Sequence, residues 1–422
     1  MSWLITDVRI FDGERVTLEN GFVVVKNGCI ENISPKMPVN IPEGCHHISG
    51  LGCTLLPGFI DSHVHVYNDA SFLAKALRFG VTTLLDMHNE PYWFKEMERL
   101  SSFRNDVADI RSACHAATVK GGWPSAIIQL SSDDAETRTR LEKWPNVVDR
   151  VSAEAFVEEN KRLGASFIKL MQESGVPFDL PFSCSPVPTP SREVQKAIVD
   201  KAHSYNMITV GHALSIRDTL LLLDSGVDGF AHACCEELSG RDLSVFCDKR
   251  PFVIPTLVIQ ASAGSEESES REFFSQDLSK EDSTHMCECL GIARKDFTMK
   301  NAALNVRLFK KAGLDIVCGT DSSSHLKGVF AGASLHHELW LYVNRCGFTP
   351  IEALRSSTSV PSRIFKLHDR GSIKPGLKAD LVLVRGDPTK NIECTRSILE
   401  VWRNGVRLSS AGDEGNKSEP SH

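Results

Sequence analysis

The chain has 422 residues, 41% hydrophobic and 24% charged, the make-up of an ordinary folded protein with room for a large core or two domains. Its net charge of −7 disfavours a nucleic-acid or acidic-membrane partner, and no run of about 18 apolar residues exists to span a bilayer. Met1-Ser2-Trp3-Leu4-Ile5-Thr6-Asp7 lacks a basic start followed by an apolar core, and the thirteen cysteines are odd in number and scattered; together these predict reduced thiols and a cytoplasmic location.

Residues 3–11, 21–26 and 29–33 read as short strands, with turns at Asp12-Gly13 and Asn27-Gly28. Eight apolar runs follow as strand candidates: Thr54–Ile60, Thr82–Asp86, Ile110–Ala116, Phe167–Leu170, Ile208–His212, Gly229–His232, Phe252–Thr256 and Ile316–Gly319. Helical patterns such as Arg192–Asn206 and Ser215–Ser225 fall between most of them. Residues 173–191 hold five prolines and read as a long loop after the fourth strand, of the kind that shapes a site. Residues 261–285, rich in Ser, Glu and Asp, read as a mobile insertion after the seventh strand. Strand signals return over 371–410, with Ala379–Val384, Ile398–Trp402 and an Asn404-Gly405 turn.

This order predicts an α/β fold: a (β/α)8 TIM barrel over 55–368, with a small β-sandwich-like domain built from 1–54 and 369–410 and a disordered tail over 411–422. A doubly wound open sheet is the runner-up. It would usually show a Gly-rich phosphate turn after the first strand, and Gly58-Phe59-Ile60 is not one.

In a barrel of this kind, chemistry sits at the C-terminal ends of the strands. His63 and His65 close the first strand two residues apart, so both face one side and can grip one metal ion. Lys169 stands within the apolar fourth strand. His212 ends the fifth, His232 the sixth, and Asp321 follows Cys318-Gly319-Thr320 at the eighth. Each has an ordinary reading alone: a hydrogen-bonded histidine, a lysine reaching the rim, an aspartate capping a helix. Six such residues at the ends of five strands point instead to a shared metal site.

These residues also carry a resemblance. Pro57-Gly58-Phe59-Ile60-Asp61-Ser62-His63-Val64-His65, Gly80-Val81-Thr82-Thr83, Gly319-Thr320-Asp321 and Gly376-Leu377-Lys378-Ala379-Asp380-Leu381 resemble the amidohydrolase superfamily over nearly the whole chain. The Phe167-Ile168-Lys169 strand is similar to the binuclear zinc branch of Xaa-Pro dipeptidases and the ochratoxin-hydrolysing amidase. The resemblance implies two zinc ions bridged by a carboxylated Lys169. His63, His65 and Asp321 would hold the more buried ion, and His212 and His232 the more exposed one. Two metals about 3.5–4 Å apart share a water and lower its pKa. Asp321 would act as general base, then as general acid to the leaving nitrogen.

Relatives in this branch often carry Gly-Gly-His after the third strand; here the run ends Gly121-Gly122-Trp123. Trp123 and the earlier His115 are candidates to face substrate, with Lys120 and Arg217 as cations for a substrate carboxylate and His88 and His325 as further pocket residues. His336 and His337 read as structural. The expected activity is hydrolysis of an amide bond in a dipeptide or N-acyl amino acid, with a small-molecule amide as partner and a homo-oligomeric assembly. The alternatives are a one-metal deaminase or cyclic-amide hydrolase of the imidazolonepropionase type, and a non-catalytic scaffold that kept the fold.

Overall fold

Pro57-Gly58 divides the apolar run predicted as one strand into two that serve different sheets. Pro57 has no N–H to give a ladder, while the Gly58 N–H donates to the Asp380 carbonyl at 2.7 Å. A Cβ on Gly58 would lie 2.2 Å from Thr82 Oγ1, so only glycine lets the chain pass here. Before the break lies β5 (Cys53–Pro57); after it lies β6 (Phe59–His65). This computed structural model describes residues 1–131, 134–180 and 186–408, so the predicted tail at 411–422 lies outside the described residues.

The terminal domain is one eight-stranded sheet. From the N-terminal side come β1 (Ser2–Phe11), β2 (Val16–Lys26), β3 (Cys29–Ser34) and β4 (His46–Ser49); β5 follows. From the C-terminal side come β14 (Leu381–Arg385), β15 (Ile398–Arg403) and β16 (Val406–Arg407). Their order is β16-β15-β14-β5-β1-β2-β3, with β4 also on β1. Alternating apolar side chains, Trp3, Ile5 and Val8 on β1 and Leu381 and Leu383 on β14, form its core with Trp402. The Trp3 indole N–H donates to the Gly405 carbonyl at 2.9 Å, tying positions 402 residues apart.

The barrel strands are β6, β7 (Val81–Asp86), β8 (Asp109–Ser112), β9 (Ile168–Met171), β10 (Thr209–His212), β11 (Gly229–Ala231) and β12 (Phe252–Ile254). The eighth position is filled by the stretch from Ile316 to β13 (Ser322–Ser323). Parallel pairing runs β13-β6-β7-β8 and β9-β10-β11-β12. Parallel bridges at Ala117 with Leu170 and at Val253 with Ile316 join the two halves and close the ring. Ile60, Leu85, Ala113, Phe167, Val210, Ala231, Ile254 and Val317 fill its interior as a packed core. Helices between strands start where sequence chemistry places them: Ser191 caps Arg192–Ser204, and Ser215 caps Ile216–Ser225, which ends at Gly226 with φ +89°.

The Ser/Glu-rich segment predicted as mobile forms three helices, Leu257–Ala263, Ser268–Phe274 and Lys280–Cys287. Its few apolar side chains are well placed. Phe274 and Met286 are buried with Phe79, Phe330 and Ala333, and Arg345 and Arg396 pair with Glu267 and Asp277. Twelve cysteines lie among the described residues and all are free; Cys184 falls outside them. No helix among the described residues is long and apolar enough to cross a membrane.

Candidate metal centre

Alternation along β6 sends His63 and His65 to one face, with ring centroids 5.3 Å apart. Asp321 meets both: its Oδ1 lies 3.3 Å from His63 Nε2 and 3.1 Å from His65 Nε2. The Asp321 N–H donates to the His63 carbonyl at 2.7 Å. Asp61 accepts from the Thr320 N–H at 3.1 Å and the Thr320 hydroxyl at 2.7 Å, clamping the eighth strand position against β6. Asp321 and His232 hold φ of +57° and +72°, left-handed backbone that costs a non-glycine residue about 1–3 kcal/mol and gathers at functional sites.

The opposite wall comes from β9, β10 and β11. Lys169 is fully buried, and its Nζ has no hydrogen-bond partner among the described residues. His212 Nδ1 lies 2.8 Å from His232 Nε2, and His232 Nδ1 lies 2.7 Å from the Thr256 hydroxyl. The His63 and His232 rings are 5.0 Å apart, which joins the two walls. One ligand atom each from His63, His232 and Asp321 falls within 4.8 Å of the others. The charge of Lys169 acts on His63, His65, His212 and His232, and that of Asp321 acts on Lys169. Contacts join His63, His65 and Asp321 on one wall and His212 and His232 on the other, and Lys169 is coupled to them by charge.

Burial dominates the electrostatics. It lowers His63 to about 3 and holds His212 and His232 well below the usual range, so three imidazoles are neutral and able to offer lone pairs. Burial also pulls on His65, but the Asp321 carboxylate outweighs it and raises that ring. Burial pushes against the Asp321 carboxylate, yet the two histidines beside it keep it well below its ordinary value and ionised. Desolvation lowers Lys169 to about 7, which leaves much of it as free amine near neutrality. Neutral imidazoles, an anionic carboxylate and a buried amine make a donor set suited to a divalent transition metal. Asp321 Oδ1 and Lys169 Nζ are buried without hydrogen-bond partners among the described residues, as atoms reserved for a ligand would be.

The other predicted residues divide. Trp123 stacks on His212 at 5.6 Å and on Phe178 at 5.0 Å, so it borders the centre. His88 lends its carbonyl to His65 Nδ1 at 3.4 Å, while its own Nδ1 accepts the Ala116 N–H at 3.0 Å. His115 stacks on His88 at 5.9 Å and meets Glu90 at 3.0 Å. His325 lies 5.9 Å from Tyr67, whose ring stacks on His65 at 6.0 Å. Lys120 and Arg217 are exposed, and among the described residues neither contacts the histidine cluster. A cation at the start of a loop or helix can project to solvent as readily as inward, and here both do. His336 and His337 are buried against the Phe79 carbonyl and the Ser270 hydroxyl, away from the centre as expected.

Sequence reasoning missed two groups. Glu173 is fully buried with Oε2 3.5 Å from His212 Nε2; an acid four residues beyond Lys169 was the available signal. Arg140, on the helix Ala135–Glu142, lies over Trp93 at 5.5 Å, and its buried Nε has no hydrogen-bond partner among the described residues. Its charge acts on Tyr67, His88 and Glu90.

The amidohydrolase family model matches residues 54–408. Among curated proteins, the imidazolonepropionase of Deinococcus deserti is 31% identical over 100 residues. That stretch is 23% of this chain and spans about a quarter (24%) of that relative's length. Solved structures align over nearly everything. They include molinate hydrolase (TM-score 0.77, 18% identity, 100% of this chain and 96% of that one) and a Xaa-Pro dipeptidase with bound methionine (0.73, 18%, 97% and 100%). A. niger ochratoxinase aligns with TM-score 0.71 at 18% identity over 97% of this chain and 96% of its own. At these identities the structural likeness speaks for the fold. The family match spans the whole barrel and the C-terminal strands of the terminal sheet, and on that ground the chain belongs to the amidohydrolase family.

Proposed function

We propose that this amidohydrolase holds two divalent metal ions, zinc foremost, and hydrolyses an amide bond next to a carboxylate, as in a dipeptide or an N-acyl amino acid. The observation that carries the reading is Lys169, buried without a hydrogen-bond partner among the described residues and coupled by charge to four histidines and an aspartate. His63, His65 and Asp321 would hold one ion, His212 and His232 the other, and Lys169 would serve both. As a free amine, Lys169 Nζ can add to CO2. An N–C bond forms as one C=O π bond of CO2 opens onto oxygen, one proton leaves nitrogen for solvent, and the neutral amine becomes an anionic carbamate with two oxygens. When bound, such ions polarise the substrate carbonyl and lower the pKa of a shared water.

The chain's own residues do the rest. Asp321, ionised against its histidines, takes a proton from the attacking water and hands it to the leaving nitrogen. Amide cleavage needs that delivery, because an amide anion is a very poor leaving group. Trp123 and Phe178 give an apolar wall for an acyl or imino-acid portion. With Lys120 and Arg217 exposed, the carboxylate falls to His115 and Arg140. The Xaa-Pro dipeptidase and ochratoxinase likenesses support this substrate class.

A second reading, a one-metal cyclic-amide hydrolase, is favoured by the imidazolonepropionase match. Metal analysis of purified protein separates the readings: two ions per chain for the amidase, one for the alternative, none for a non-catalytic scaffold. A hydrolysis screen should include Xaa-Pro dipeptides, N-acyl amino acids, lactams and lactones, each acid paired with its methyl ester. Preference for the free acid is expected. Equal kcat/KM for acid and ester, or activity on lactams and lactones alone, defeats the proposal.

A further inference from the structure

Glu173 stands outside the six residues assigned above, on the segment that leaves β9. Its carboxyl is held in place: Oε1 accepts the Gly175 N–H at 2.8 Å, and the Leu214 N–H also donates to the group. Oε2 is buried and unpartnered among the described residues. The group facing it is His212 Nε2, 3.5 Å away, also buried and unpartnered. The other nitrogen of that ring, Nδ1, faces His232 Nε2 at 2.8 Å. So the imidazole lies between a carboxylate on one side and its partner histidine on the other.

A neutral imidazole has one N–H and one lone pair, and the neighbour that accepts the N–H decides which nitrogen keeps the lone pair. Of the four histidines, His212 alone has a carboxylate behind it among the described residues. His65 is backed by the His88 carbonyl and His232 by the Thr256 hydroxyl, while Asp321 meets His63 and His65 on the side of the centre. We infer that Glu173 is a positioning residue: in its ionised form, beside a bound cation, it accepts the His212 Nε2–H, fixes the lone pair on Nδ1 toward His232, and so builds the metal position of that wall. This rests on the metal-dependent reading above and deepens it, because it assigns the second ion its own supporting acid. Outer carboxylates of this kind orient a ligating ring and raise its basicity, and their loss typically weakens metal affinity 10–100-fold.

The test uses the full chain and zinc alone. Wild type, Glu173→Gln and Glu173→Ala are stripped of metal, checked for folding by thermal melting, and titrated with zinc against a chromophoric chelator. The expected result is one ion held as in wild type and the other about 10–100-fold weaker in both variants. Equal affinities for both ions in wild type and Glu173→Gln would overturn the inference. Should Glu173→Ala fail to fold, Glu173→Gln carries the comparison, since it keeps the size of the side chain. A second measurement does not depend on the number of ions: ¹⁵N–¹H spectra of histidine-labelled protein report which His212 nitrogen bears the proton. Nε2–H in wild type, lost or mixed in Glu173→Gln, supports the assignment; Nδ1–H in wild type refutes it. If wild type binds only one ion, the two-metal reading fails, while the nitrogen spectrum still decides the role of Glu173.

Discussion

The two walls of the centre solve the same problem differently. The β6 wall carries its own negative charge: Asp321 is ionised and lies 3.1–3.3 Å from two histidines. The wall from β9 to β11 presents neutral imidazoles and an amine, and its one acid, Glu173, stands behind His212 with its pKa raised by burial to about 8. A dication entering the first wall finds its counter-charge waiting. In the second wall no such charge is present, and on the proposed two-metal reading Lys169, lowered to about 7 by burial, would supply it by taking up CO2. The lesson is that desolvation, usually a cost for a buried lysine, here prepares the amine.

That contrast can be broken at its strongest point first. Asp321→Asn keeps the shape of the β6 wall but removes its basic oxygen, and turnover should fall about 10²–10⁴-fold. Near-normal turnover would mean that the proton moves by another group. Lys169→Ala attacks the opposite wall. On the two-metal reading, metal content should fall from two ions toward one, with turnover lost alongside. Added acetate or propionate should restore part of it; full occupancy without rescue would remove the bridging role. Trp123→Ala touches neither wall's charge, only the ring stacked on His212. It should raise KM about 10-fold, some 1.4 kcal/mol of lost apolar contact, with metal content unchanged. Metal loss in this variant would instead make Trp123 a support for His212.

The smallest effect separates the scaffold from both walls. Glu338 is fully buried and accepts the Leu257 and Val258 N–H groups at 2.9 and 2.8 Å, and burial raises it from 4.5 to about 8. Between those values the folded state keeps a proton that the unfolded state has lost, so this group's contribution to stability falls as pH rises through that window. Glu338→Gln should flatten the fall, read as the change in Tm between pH 5 and pH 8 for metal-free protein. An unchanged slope would show that Glu338 is ionised in the fold.

The six strand-end residues were legible as a set because strand ends are marked twice, by an apolar run and by the polar residue that closes it. The barrel was legible for the same reason. Sheet membership was not. Thr54–Ile60 is uniformly apolar, and only the close approach of Thr82 to Gly58 shows where one sheet hands over to the other. The 261–285 segment misled because composition counts residues, whereas folding depends on where they are buried, as Phe274 is beside Met286 just past the segment's end. Lys120 and Arg217 were chosen by nearness in sequence to strand ends, which says nothing about side-chain direction. Glu173 and Arg140 escaped because their relation to the centre depends on the path of a turn and the docking of a distant helix.

The composite sheet has a consequence for how the molecule comes apart. β5 pairs with β1 on one side and β14 on the other, and one residue later the chain becomes the strand bearing His63 and His65. Digestion advancing inward from the C-terminal side would strip β16 and β15, then β14, and so uncover one flank of β5. The next step would loosen the strand that positions the histidines. Clipping at the C-terminal edge should therefore register at the far side of the sequence, as release of metal loaded into the centre before any loss of barrel helix signal.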